Sequence, residues 1–93
     1  MITAIVTINA AVDRIPEVAQ AIAELDGVSE VYSVAGEVDL VAMVRVRAHD
    51  DLADVIAGRL NKVEGVLATQ TLIAFRAYSR HDLEAAFSLG AEQ

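Results

Sequence analysis

Leu25-Asp26-Gly27-Val28 returns further along the chain as Val63-Glu64-Gly65-Val66. Each copy stands where an apolar stripe at helical spacing gives way to a β-branched run. Glycine commonly closes a helix in the left-handed conformation, and β-branched residues favour strands. Both copies therefore read as helix-to-strand junctions, and the chain reads as one unit used twice.

Working outward from the first copy, Ile15, Val18, Ala19, Ile22 and Leu25 form one helical stripe. Asp13 is the expected N-cap, with Pro16 in the first turn. Upstream, Ile2, Ala4, Val6 and Ile8 alternate with Thr3, Thr7 and Asn9, with Ile5 apolar on the second face. Downstream, Val28 to Val34 reads as a strand, Gly36-Glu37 as a turn, and Val38 to Val46 as a third strand apolar on both faces. The second half repeats the order. Asp50 is the expected cap, Leu52, Val55, Ile56, Leu60 and Val63 are the stripe, and Val66 to Tyr78 is the fourth strand. Arg80 to Leu89 reads as a short C-terminal helix before a frayed tail.

Two strand–helix–strand halves give βαββαβ, an α+β, ferredoxin-like unit with an antiparallel sheet. Residues 1–93 are expected to be a single domain, with 1–78 as the core and 79–93 as terminal helix and tail. Right-handed connections put both helices on the same face. The other face stays open, with Ile5, Val41 and Met43 expected to project from it. Apolar residues make up 55% of the chain without glycine, against a globular norm of roughly 45–50% with glycine included. A domain this small can hardly use that much internally. The excess predicts a subunit interface and a homodimer joined face to face, a dimeric α/β barrel.

Seven basic against fourteen acidic residues give a net charge of -7. Nucleic-acid affinity rests largely on phosphate neutralisation, so no direct nucleic-acid partner is expected. There is no cysteine, hence no disulfide or thiolate chemistry. No signal-peptide pattern opens the sequence, and no apolar run reaches the roughly 18 residues of a membrane span. A cytoplasmic protein without a membrane partner is expected.

The bend at Val34-Ala35-Gly36-Glu37-Val38-Asp39-Leu40-Val41 carries a carboxylate where a strand should resume. Strands disfavour Asp, so Asp39 is a candidate charge partner for a ligand, or for Arg45 or Arg47 across a subunit contact. Gly36 either supplies the positive φ of a tight turn or lets a ligand approach the main chain.

This stretch resembles the Gly-x-x-Asp motif of the Lrp/AsnC family, in its effector-binding (RAM) domain. Val44-Arg45-Val46-Arg47 resembles the end of that domain's third strand. Gly65-Val66 followed by Thr69-x-Thr71-x-Ile73 resembles its fourth. The likeness runs from Ile2 to Phe75. It implies a non-catalytic domain of transcription regulation that assembles beyond the dimer and binds an amino acid between dimers. Full-length members carry a helix-turn-helix domain first; here the first strand starts at Ile2, so a stand-alone form is expected, with a full-length regulator as a further partner. The resemblance implies a ligand site of Gly36, Asp39, Thr69 and Thr71. An ammonium suits the Asp39 carboxylate, a ligand carboxylate suits main-chain N–H groups at Gly36, and the two threonines add hydroxyls. The family often has an aromatic beside the Asp, where this chain has Val38 and Leu40.

The alternative is a small dimeric α/β-barrel enzyme of monooxygenase or isomerase type, with Asn9, Tyr32 or His49 in its cavity. No acid–base pair stands out for it. His49 and His81 lie far apart without acidic or cysteine ligands at metal spacing, so no metal, cofactor or catalytic residue is assigned.

Overall fold

The computed structural model describes residues 1–80. It contains β1 (Ile2–Ala10), α1 (Ile15–Ala23), β2 (Val28–Ser33), β3 (Leu40–Val46), α2 (His49–Ile56) and β4 (Val66–Ile73), with short 3-10 turns at Val12–Arg14 and Leu60–Lys62. The order is βαββαβ, as expected. The sheet runs β2-β3-β1-β4, with every neighbouring pair antiparallel. The two original halves are therefore interleaved, each central strand separating the strands of the other half.

Residues paired across an antiparallel ladder share a face. Ala4, Val6, Ile8 and Ala10 of β1 and Leu40, Ala42, Val44 and Val46 of β3 are all buried. They pack with Val18 and Ile22 of α1 and Leu52, Val55 and Ile56 of α2. The intervening residues Ile5, Val41 and Met43 are only half-buried. Two layers, with no helix among the described residues packed on the second face of the sheet, are what the alternation dictates.

The repeated glycines hold the halves together reciprocally. Gly27 has φ 94° and Gly65 φ 98°, a conformation that side chains with a Cβ rarely adopt. A Cβ on Gly27 would stand 2.7 Å from Val55 of α2, and one on Gly65 2.7 Å from Val18 of α1. Each half's junction is thus the seat of the other half's helix. The carbonyls repeat the symmetry: Gly27 O accepts from Arg45 N at 2.9 Å, and Gly65 O from Ala11 N at 2.8 Å.

Several boundaries differ from expectation. Asp13 does not cap α1; it lies in the 3-10 turn, and Arg14 occupies the cap position without a side-chain bond. Asp50 does not cap α2 either. The cap position is Ala48, and Asp51 one turn in accepts the Ala48 N–H at 3.3 Å. The second helix ends at Ile56, and buried Leu60 is delivered by the following 3-10 turn. β3 begins at Leu40 rather than Val38, and β4 ends at Ile73 rather than Tyr78. The expected C-terminal helix falls, past Arg80, outside the described residues.

Candidate functional site

Asp39 lies just before β3, where three strands end together. Its main-chain N–H donates to Ile8 O at 3.0 Å, and its carbonyl accepts from Val34 N at 3.1 Å. Its carboxylate Oδ2 accepts the Ala10 N–H at 2.9 Å. Asp39 therefore clamps the end of β1 against the β2–β3 bend. The structure answers why an acidic residue stands at a strand start: its side chain substitutes for a ladder acceptor. Arg45 is not its partner within the protomer, since Arg45 donates to Glu30 at 3.2 Å. A carboxylate has capacity for further donors after one backbone bond.

Gly36 is at the tip of the same bend with φ 142°. Nothing lies within 4 Å of where a Cβ would be. The glycine is thus required by its own backbone angle, and the main chain around it is open to approach.

Thr69 and Thr71 do share a face, as the alternation predicted. Thr69 pairs with Ile8 and Thr71 with Val6, so both belong to the helix side of the sheet. The Thr69 hydroxyl donates to Asn61 Oδ1 at 2.8 Å. Asn61 comes from the 3-10 turn that lies against β4, and its place beside Thr69 was not anticipated. Asn after a helical stripe reads as solvated surface, and Asn61 is exposed; the early end of α2 brings it beside Thr69.

The four site residues do not converge within one protomer. Asp39 adjoins the Leu40 end of β3, and Thr69 lies beyond β1 on β4. Two strand spacings, about 10 Å, separate those positions. Thr71 is a further two residues away, about 7 Å. The three residues named for the enzyme alternative are likewise not brought together. Asn9 is at the Asp39 end of β1, whereas His49 starts α2, beyond the Ile2–Val46 end of the sheet. Most of the length of β1, roughly 20 Å of strand, lies between these ends.

The open face carries a polar margin on an apolar centre. Ile5 pairs with Met43 and with Leu72, and Tyr32 with Val41. At the β2 edge, the Tyr32 phenol is held above its ordinary pKa by a hydrogen bond to Glu30 and by the negative charge there. Towards the far end a concavity of about 430 Å³ is lined by Thr3, Ile5, Met43, Arg45, Phe75 and Arg76, among others. It is distant from the Gly36–Asp39 bend. No group of acidic or histidine side chains suited to a metal ion occurs among the described residues. None of their helices is long and apolar enough to cross a membrane.

Residues 3–83 match the family model of the Lrp/AsnC ligand binding domain. The chain is 39% identical over 59 residues to an uncharacterized HTH-type transcriptional regulator, PH1916, of Pyrococcus horikoshii. That match takes in 63% of this chain and 39% of the regulator, so the chain spans well under two thirds of the length of this curated relative. Among solved structures, TTHA0845 from Thermus thermophilus superposes with a TM-score of 0.81 at 50% identity, over 86% of this chain and 100% of that one. The Neisseria meningitidis transcriptional regulator NMB0573, solved as a complex with L-Met, shares the fold at TM-score 0.75 and 15% identity, over 85% of this chain and 53% of that one.

Proposed function

The chain belongs to the Lrp/AsnC ligand-binding-domain family, and from that premise we propose that it is a non-catalytic, oligomeric sensor of an amino acid. The observation that carries the reading is the uncovered sheet face. Ile5, Val41 and Met43 lie partly exposed on a sheet whose other face is closed. Such a face is stable in water chiefly when a second copy covers it.

The effector site then forms between dimers. Gly36 and Asp39 present open main chain and a carboxylate at the sheet end, while Thr69 and Thr71 face the helix side. That side points away from the dimer face, so the two pairs act together when they come from different protomers of a larger assembly. The ammonium of the amino acid pairs with Asp39, and its carboxylate takes the N–H groups near Gly36. The L-Met complex of the Neisseria regulator supports the ligand class. The assembly signals through contact with a full-length helix-turn-helix relative in the cytoplasm, a reading supported by the regulators that the chain resembles.

Ligand that binds only the assembled form stabilises it by RT ln(1 + [L]/Kd), about 2.7 kcal/mol at one hundred times Kd. For a domain of this size that corresponds to a rise in Tm of about 10–20 °C. Thermal-shift measurement against the twenty amino acids is the test, repeated with Asp39→Asn. Asparagine retains an acceptor for Ala10 N–H and removes the charge. A shift confined to the wild type supports the site. An equal shift in both proteins removes Asp39 from it, and no shift with any amino acid removes the sensing role.

A further inference from the structure

The end of the sheet that holds Asp39 also holds an irregularity. Asn9 of β1 pairs with Ala68 of β4, but Ala10 pairs with Val66. Leu67 is therefore an extra residue, a β-bulge on an edge strand. Bulges bend a strand and re-aim a side chain, and they are over-represented beside active sites. Leu67 is left 70% exposed. Just past the same end of β1, Ala11 N donates to Gly65 O at 2.8 Å, and Val12 opens the 3-10 turn. Val12 is 89% exposed. Among the described Val, Leu and Ile residues these two are the most exposed.

Both stand close to one carboxylate. Asp39 precedes β3, yet its Oδ2 reaches across to Ala10 N at 2.9 Å. The charge therefore lies over the last residues of β1. Val66, opposite Ala10, is one strand spacing away, about 5 Å. Leu67 is the next residue along β4, and Val12 follows Ala10 by two. Neither side chain has work elsewhere in the protomer. Leu67 has no residue opposite it in the ladder and makes no cross-strand pair. The 3-10 turn that carries Val12 has no buried residue.

We propose that Val12 and Leu67 are specificity-determining contacts of the effector site, and that the effector is an amino acid with an aliphatic side chain. The proposal rests on the sensor reading above and narrows it. With the ligand's ammonium at Asp39, its side chain has only the width of a strand to cross to reach this pair. Val12 and Leu67 offer no hydrogen-bond donor or acceptor in their side chains. A polar ligand side chain seated on them gives up water and gains no bond, whereas an aliphatic one buries apolar surface.

Calorimetric titration with near-isosteric pairs isolates the side-chain contribution. L-Leucine and L-asparagine have nearly the same shape and differ in polarity, as do L-valine and L-threonine. L-Alanine carries the same ammonium and carboxylate on a single methyl. In an apolar pocket even one methylene is worth about tenfold or more, so the wild type is expected to bind the aliphatic member of each pair at least about tenfold more tightly. Val12→Ser/Leu67→Asn is expected to weaken L-leucine at least about tenfold and to leave L-alanine unchanged, and Leu67→Met to keep the preference. Both residues are exposed, so the variants fold, which circular dichroism checks. Equal affinity within either pair, or a preference that survives the double variant, overturns the specificity assignment and leaves the sensor reading standing. So does a double variant that weakens L-alanine as much as L-leucine, because the two residues then act on the assembly and not on the ligand side chain. If neither member of either pair binds, the specificity assignment falls alone; if none of the twenty amino acids binds, the sensor reading falls with it.

Discussion

On the helix side of the sheet, Ala4, Val6, Ile8, Leu40, Ala42 and Val44 have no exposed surface. On the other side, Ile5, Val41 and Met43 alternate with them along the same two strands and remain partly exposed. Composition does not separate the two sets, since both are aliphatic. Covering separates them: one set has α1 and α2 above it, and no helix among the described residues packs on the other. A strand apolar on both faces therefore states two requirements, and a single chain of βαββαβ order meets only one. The second, on the reading proposed above, is met by association.

The largest expected contrast is between core and open-face truncations. Ile22→Ala removes a wholly buried side chain and should cost about 2–5 kcal/mol in urea unfolding. Met43→Ala should cost the isolated protomer less than about 1 kcal/mol, with its main effect on dimer dissociation. Equal costs would mean that the open face is already covered within the protomer.

The reciprocal glycines sharpen the helix-side half of the contrast. Gly27→Ala meets both a positive φ and Val55 at 2.7 Å, and Gly65→Ala meets Val18 likewise. Each should lose about 2–3 kcal/mol. Gly36→Ala meets no neighbour and should lose less, through backbone strain alone. Urea midpoints in that order support the assignment of Gly27 and Gly65 as helix seats.

Asp39→Ala strips the acceptor from Ala10 N–H and should cost about 1–2 kcal/mol. Asp39→Asn should cost less, because the acceptor is retained. A fully neutral Asp39→Ala would show that the carboxylate has no structural role and is free for ligand alone.

The smallest effect concerns the polar margin. Glu30 raises the Tyr32 pKa by hydrogen bonding and by its charge. A folded pKa above the unfolded value gives a contribution that is complete below about pH 10 and fades as pH rises through the folded pKa. Ultraviolet titration should therefore find a lower Tyr32 midpoint in Glu30→Gln. An unchanged midpoint would remove the Glu30 contact.

Most of the architecture could be read from residue spacing. The Leu25–Val28 and Val63–Val66 repeat marked both junctions, and alternation in Ile2–Asn9 and Leu40–Val46 marked the buried set. Caps were less legible, because the choice among Asp13, Arg14 and Ala48, Asp50, Asp51 turns on main-chain angles at single residues. The face of Thr69 and Thr71 was hidden for a different reason. The register of β4 on β1 shifts between Asn9 and Ala10, and a one-residue slip exchanges the faces. Asp39 was conspicuous as an acid at a strand start, but its bond to Ala10 depends on strand order, which no local pattern records. The length of β4 was overestimated because Phe75 and Tyr78 are strand-forming residue types placed beyond the last ladder bond.

The central claim is that the uncovered sheet face joins copies of this chain. Light-scattering mass across a concentration series, with wild type beside Ile5→Glu, tests it directly. The expected result is a dimer or a multiple of it for the wild type, and a folded monomer for the variant by mass and circular dichroism. A monomeric wild type, or an Ile5→Glu protein of unchanged mass, would contradict it.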